Sequence, residues 1–475
     1  MNTFSKLRTT LLFYCLACCN YVWSQADKAP AYPLISHNPY FSIWSFTDEL
    51  NASSTKHWTG TNQSLLGLIK VDSKVFRFMG KDNTKDSIGI LPAKQEKVVM
   101  NATQTLYQFS CGPVELSVAF TSPLLIDNLD ILSRPVSYIS FTTKSSDGAR
   151  HRVKIYMGAS TDLSVNHVEQ PVTADQYVSE NLSLLKAGTL EQPVLKKKGD
   201  NIRIDWGYVY LAVPLQQHAV QYISTADSAV ADFISDNTGK RATQFTGQSL
   251  MLNTVFSLNT VDSKEKENWV MLGYDDRYAI QFFQQNLKGL WDLQQGMTIE
   301  KVLNRSFLDH SEILSKCRIL NKMIYDDAVA AGGETYAKLC IIAYRQSISA
   351  HALVKSPEGE LLFLSKENFS NGCINTVDVT YPSAPLYLAY NPELMKGMLN
   401  GIFYYCEKSG RYNQSYAAHD LGTYPLANGQ VYGEGMPVEE SANMIILTGA
   451  IAKATGSAEY AKKHWRTLTK WVDYL

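Results

Sequence analysis

The sequence predicts an antiparallel β-sandwich region followed by the opening hairpins of an α-helical toroid. Three observations predict it. Residues 31–258 are filled by short β-branched or alternating segments with turn residues between them. Helical periodicity takes over after residue 275. The 475 residues leave room for two or three domains, at about 100–200 residues each.

The first 26 residues read as a leader. Lys6 and Arg8 form a basic start, residues 11–22 an apolar run, and Ser24-Gln25-Ala26 a small-x-small cleavage pattern. The run is shorter than the roughly 20 residues a membrane-spanning helix needs. Leu16-Ala17-Cys18 with Cys19 offers lipoprotein processing as the alternative. Either way the mature chain is expected beyond the cytoplasmic membrane, secreted or periplasmic, or lipid-anchored at the envelope. No later stretch is long and apolar enough to span.

Strands are expected at residues 66–71, 114–120, 136–142, 151–156 and 208–213, with turns at Asp147-Gly148 and Gly199-Asp200. Many short strands and few helices argue for an antiparallel sandwich. Helices are expected at 278–290 and 299–325, the second long and polar enough to serve as a linker. Further helices follow at 337–350, 392–407, 437–454 and 457–475, two of them opened by Pro392 and Pro437. A hairpin at 353–365, turning at Pro357-Glu-Gly359, interrupts them. The expected organisation is a leader at 1–26, an N-terminal segment at 27–95 packing on the later domains, a sandwich at 96–300, a helical linker at 301–330 and a toroid from 331. The chain stops at Trp471-Val-Asp-Tyr-Leu475 inside a helical pattern. About four toroid helices precede that point, so the sequence reads as truncated.

Composition excludes some functions. Net charge is −1 and 45% of residues are hydrophobic, which provides no basic field for nucleic acid. Aromatics reach 11%, with 27 Tyr and 8 Trp; they suit a sugar or small polar-ligand cleft, but sandwich-core packing is the first reading for most of them. Cys111, Cys317, Cys340, Cys373 and Cys406 are odd in number and widely spaced. That is no disulfide framework and no zinc pair, so buried free thiols are expected, with one disulfide as the alternative. No P-loop, dinucleotide fingerprint or His-x-x-His pair occurs. No cofactor and no metal are therefore assigned, although loop carboxylates could take calcium. Oligomeric state is not legible.

Three segments of the helical part carry candidate chemistry. Residues 366–382 hold Glu367, Asn368, Asn371, Asn375, Asp378 and Tyr381 in a non-periodic loop. His419-Asp-Leu-Gly-Thr-Tyr-Pro425 is the second, and Tyr432-Gly-Glu-Gly-Met-Pro-Val-Glu-Glu-Ser441 the third. In a ring of helical hairpins, loops at one end surround one hollow, so carboxylates on successive loops can face one substrate. One carboxylic acid and one carboxylate suffice for hydrolysis of a glycosidic bond or an amide. Glu439 or Glu440 is the candidate general base and Asp378 or Asp420 its acid partner. Asn371, Asn375, Tyr381 and His419 would position substrate, with Tyr424 and Tyr432 as aromatic platforms. The same residues also have plain structural readings. Glu439 and Glu440 sit where helix starts favour acids, His419-Asp420 can be a structural pair, and adjacent glutamates point to different helix faces. The polar-aromatic stretches 37–60 and 274–277 read as domain-interface packing.

Longer strings carry a resemblance. These are residues 33–45 with His57-Trp-Thr-Gly60, Met271-Leu-Gly-Tyr-Asp-Asp276, Ser370-Asn-Gly-Cys-Ile-Asn-Thr-Val-Asp-Val-Thr-Tyr-Pro-Ser-Ala-Pro385, His419-Asp-Leu-Gly-Thr-Tyr-Pro425 and Met436-Pro-Val-Glu-Glu-Ser-Ala-Asn-Met444. Over essentially the whole mature length the chain resembles the glutaminase A family. The resemblance implies a secreted protein with a β-sandwich-like front and an (α/α)6 six-hairpin toroid, here incomplete, of a kind shared with many glycoside hydrolases. It also implies hydrolysis of L-glutamine to L-glutamate and ammonia. A six-hairpin glycoside hydrolase and a non-catalytic, glycan-binding envelope protein remain the alternatives.

Overall fold

The computed structural model describes residues 28–81, 89–237, 242–368 and 370–475. The leader assigned to residues 1–26 lies outside them. Alternation in the sequence becomes two packed sheets. Gln104–Cys111 and Val114–Thr121 bury every second side chain, as strands with one face on a core do. They belong to a nine-stranded sheet whose centre is Tyr208–Pro214, Lys266–Asp275 and Val136–Ser145. A six-stranded sheet lies against it, centred on Leu250–Val261, His151–Ser160 and Leu65–Val71. All pairings in both are antiparallel except that of Val75–Arg77 with Ile90–Pro92. Phe78 and Phe256 of the smaller sheet meet Phe109 and Phe141 of the larger, with ring centroids 5.9–6.2 Å apart. Emptying one such fully buried ring position costs about 3–5 kcal/mol. The five strands expected from the sequence all lie within these sheets.

Among the described residues the helices are α1 (Leu129–Ser133), α2 (Ala226–Ile234), α3 (Ile299–Leu308), α4 (His310–Ser349), α5 (Val377–Tyr390), α6 (Pro392–Glu407), α7 (Pro437–Thr455), α8 (Glu459–Lys463) and α9 (Trp465–Tyr474). None is long and apolar enough to cross a membrane. The expected linker helix is α3 and α4, separated at Asp309. α4 runs on past residue 325 and kinks at Gly333, where φ is +80°. Along α4, Ile313, Cys317, Leu320 and Ile324 are buried. The Asn321 Oδ1 accepts from the backbone N–H and hydroxyl of Thr103, and the Tyr344 hydroxyl donates to the Leu124 carbonyl. The linker is thus bonded along its length to the sandwich.

Two expectations need correction. Residues 278–290 form no helix but a tight hairpin, Ile280–Phe282 with Gln285–Leu287. Phe283 and Gln284 take left-handed backbone at its turn, and Ile280–Phe282 gains a parallel partner in Leu426–Ala427. That distant pairing overrides local helical spacing. Residues 377–382 are not loop but the first turns of α5, despite Pro382 and Pro385 within it. The hairpin at 353–365 forms as expected, as His351–Lys355 with Leu361–Ser365. The last expected helix is split into α8 and α9 at His464. Cys111, Cys317, Cys340, Cys373 and Cys406 are all free thiols.

Candidate active site

Two loops of the helical region are zipped together by their backbones. The Ile374 N–H donates to the Gly422 carbonyl, the Leu421 N–H to the Ile374 carbonyl and the Val377 N–H to the His419 carbonyl. Gly422 has φ +136°, and a Cβ there would stand 2.3 Å from the Leu426 carbonyl oxygen, so this crossing requires glycine. The zipper sets the first turn of α5, which carries Asp378, beside His419. Helix α7 starts at Pro437, whose missing N–H costs nothing at that position. Its Ser441 hydroxyl accepts from the Ala417 N–H at 3.0 Å. The first turn of α7, with Glu440, is thereby docked on the same loop.

Asp420 is fully buried. Its carboxylate accepts from the backbone N–H groups of Gly422 (2.8 Å), Val431 (3.0 Å) and Tyr432 (3.1 Å), and lies 3.0 Å from His419 Nδ1. Because both oxygens of a carboxylate only accept, Nδ1 carries the hydrogen of this bond. In the neutral ring the opposite nitrogen, Nε2, then presents a lone pair. The His419 ring is held flat against Tyr432, with centroids 4.3 Å apart and planes 19° apart.

His419 Nε2 stands 3.8 Å from the Glu440 carboxyl. Glu440 has 0% exposure, and neither of its oxygens makes a hydrogen bond of ordinary geometry. Burial, then the negative charges of Asp378 and Glu439, push its carboxyl up to about 9; the Asp378 backbone N–H and the Asn443 side chain offset this only in part. Asp378 is half-buried, with a buried Oδ1 that also lacks a partner. One oxygen of Asp378, one nitrogen of His419 and one oxygen of Glu440 all lie within 4.8 Å of one another. Among the described residues, these three form the group able to hold a metal ion.

The structure therefore unites Asp378, His419, Asp420, Glu440 and Tyr432. It separates Glu439, which is exposed on the adjacent face of α7. Tyr381 is 40% exposed on α5. Asn371 closes a turn by accepting from the Cys373 N–H. Asn375 is fully buried with φ +58° and donates to the Met398 carbonyl. Tyr424 is 1% exposed and packs against Tyr40, with ring centroids 5.1 Å apart, so it belongs to the core and forms no platform.

Two polar groups escaped the sequence reading. Lys366 is buried, bonds Asp200 at 2.8 Å and lies 4.6 Å from the Trp58 ring centroid, joining the toroid hairpin to both earlier segments. Its only signal was its place at the head of the polar string 366–382. Asp276, in a stretch read as interface packing, is buried and lines a small cavity with His37, His351 and Tyr424. Burial, then Asp275 and Asp292, raise its carboxyl to about 8.

With that geometry in place, three family models match the chain. Residues 333–475 match the glutaminase A six helical-hairpin domain. Residues 103–327 and 16–88 match two domains of unknown function, DUF5127 and DUF4964. Glutaminase A of Aspergillus oryzae is 28% identical over 470 residues, covering 94% of this chain and 66% of that protein. A probable glutaminase of Arthroderma benhamiae is 24% identical over 491 residues, covering 93% of this chain and 54% of that one. The chain thus spans about two thirds and about half the length of these curated relatives. A putative kojibiose phosphorylase from the human microbiome superposes at 10% identity with a TM-score of 0.46, covering 88% of this chain and 53% of the other.

Proposed function

We propose that this chain, which belongs to the glutaminase A family, is a hydrolase that converts L-glutamine and water to L-glutamate and ammonia at the Asp378–His419–Glu440 cluster. One observation carries the reading: two carboxyl groups and an imidazole from three chain segments converge within 4.8 Å, and neither Glu440 oxygen makes a hydrogen bond of ordinary geometry. Amide hydrolysis needs a proton taken from the attacking water and a proton delivered to the departing nitrogen, by groups within hydrogen-bond reach of both. Asp378, partly open to solvent, meets the water. Glu440 behind it completes the acid–base pair. Glu439, exposed on another face, takes no part. Asp420, with its acceptor sites engaged by three backbone N–H groups and His419, positions the imidazole and transfers no proton. The names of the Aspergillus and Arthroderma relatives favour glutamine as substrate. The basic start and apolar run of residues 1–26 support action outside the cytoplasmic membrane.

The test is ammonia release from L-glutamine, run beside reducing-end release from a glycan panel, with the wild-type chain, Glu440→Gln and Asp378→Asn. Ammonia release lost in both variants supports the reading. Turnover of glycans alone transfers the same site to glycoside hydrolysis. Full glutamine turnover in both variants ends the site assignment.

A further inference from the structure

The acidic cluster is a set of electron-pair donors with no positive charge at its centre. Glu440 is fully buried with neither oxygen in a hydrogen bond of ordinary geometry, and Asp378 adds a buried Oδ1 in the same state. His419 turns a lone pair toward them, because the Asp420 carboxylate occupies the Nδ1 side. Burying acceptors without well-formed donors is costly, and the nearby Asp378 charge opposes ionisation of Glu440. Among the described residues, no lysine or arginine is found in hydrogen-bond or ion-pair contact with Asp378, Glu440 or His419. Arg345 and Lys366, the arginine and lysine buried among the described residues of the helical region, are engaged by Ser36 and Thr105 and by Asp200.

We propose that Asp378, His419 and Glu440 are the protein ligands of a divalent transition-metal cation of the zinc(II) type, with Asp420 as the outer partner that orients the imidazole; this rests on the reading of the cluster as the active site. The donor set decides the class of ion. One imidazole and two carboxylates suit zinc or its first-row neighbours, whereas calcium takes about six to eight oxygens and no nitrogen. Ligand atoms about 2.0–2.2 Å from zinc stand roughly 3–3.5 Å apart, and the 3.8 Å between His419 and Glu440 is already close to that spacing. The ligand atoms lie within 4.8 Å of one another, so the most separated pair would have to draw together by about 1 Å on binding. A histidine that ligates through one nitrogen and donates the other to a carboxylate is a common metal-site arrangement. Three protein ligands leave a coordination position for water, and with the ion bound Asp378 and Glu440 would serve as ligands in place of the acid–base roles given them above.

The experiment strips the whole chain with a chelator and titrates it with Zn²⁺, Mn²⁺ or Ca²⁺ alone, by calorimetry and elemental analysis. The proposal expects one equivalent of Zn²⁺ or Mn²⁺ bound in preference to Ca²⁺. It expects Zn²⁺ to raise Tm in the wild type and not in Glu440→Gln, which keeps side-chain shape without the charge. Asp420→Asn should weaken binding by about 10–100-fold. Stoichiometric binding unchanged in Glu440→Gln and His419→Ala reveals an adventitious surface ion and overturns the proposal. So does the lack of any binding, in which case the two carboxyls share a proton instead. The two readings fail separately. Glutamine turnover that survives exhaustive chelation but is lost in Glu440→Gln removes the metal and keeps the hydrolase. Specific metal binding without turnover does the reverse.

Discussion

Two buried polar regions of this molecule are built on opposite plans. Where α4 meets the sandwich and the N-terminal segment, the Arg345 guanidinium is fully enclosed and its N–H groups are received by Ser36 and Thr105. Thr105 passes its own hydrogen to the Pro33 carbonyl, and Asn321 binds Thr103 and Gln104 nearby. Where α5 meets α7, Glu440 is equally enclosed and makes no hydrogen bond of ordinary geometry. A closed network specifies how segments dock, because each missing bond would cost about 1–3 kcal/mol. An open one is retained at a cost to stability and marks where something other than the chain is expected to bind. The first region holds the fold; the second is held by it.

That contrast can be broken most sharply at Glu440. Glu440→Gln is expected to lower glutamine turnover by about 10²–10⁴-fold, while Tm holds near neutral pH, since burial already keeps the Glu440 carboxyl protonated there and the amide has the same shape. Ammonia assays and thermal melts on the same preparation check it; a large loss of Tm would place Glu440 among the structural groups. Arg345→Ala should behave in the opposite way. Loss of its hydrogen bonds and a new void should cost roughly 3 kcal/mol or more, read as a lower midpoint in a urea titration. A stable variant would show that the network contributes little to docking.

Proton linkage sharpens the comparison within the junction itself. Burial holds His37, His57 and His351 neutral, with values lowered to about 4, 3 and 4. The unfolded chain takes up those protons first, near the ordinary value of about 6.5. Stability from these sites is therefore present above that pH and is lost as pH falls toward 4. Asp276 has the opposite sign. Its folded value is raised to about 8, so the folded state keeps its proton while the unfolded state releases it near about 3.9. Stability then declines as pH rises from about 4 to about 8. Asp276→Asn should raise Tm at pH 8 and leave it unchanged at pH 4, measured by calorimetry in both buffers; equal shifts at both would exclude the linkage. The smallest effect is expected for Glu439→Gln, the exposed neighbour of Glu440. Turnover should change by less than about threefold and stability by less than about 0.5 kcal/mol. A loss matching that of Glu440→Gln would mean that the wrong face of α7 has been assigned.

Much of this was legible in residue order. Alternation located the strands at 66–71, 114–120 and 136–142, and Pro392 and Pro437 announced their helices, because these signals act within a few residues. The strings around Asp378, His419 and Glu440 stood out as polar and non-periodic. What misled was local as well. Pro382 and Pro385 concealed α5, and helical spacing at 278–290 hid a hairpin whose partner lies near residue 426. Tyr424 carried no sign of enclosure.

By itself, then, the sequence determined the order of sheet and helix, the helix starts and the set of polar residues from which a site could be made. Each of these follows from short-range sterics, turn chemistry and the period of the side chains. Only the tertiary structure decided that Glu440 faces inward and Glu439 outward. It also decided that Asp420 is consumed in holding His419 and that Asp378 completes the cluster. Those choices depend on backbone bonds between segments some 45 residues apart, such as Ile374 to Gly422, and on the rotation of α7 against α5, which no local pattern encodes.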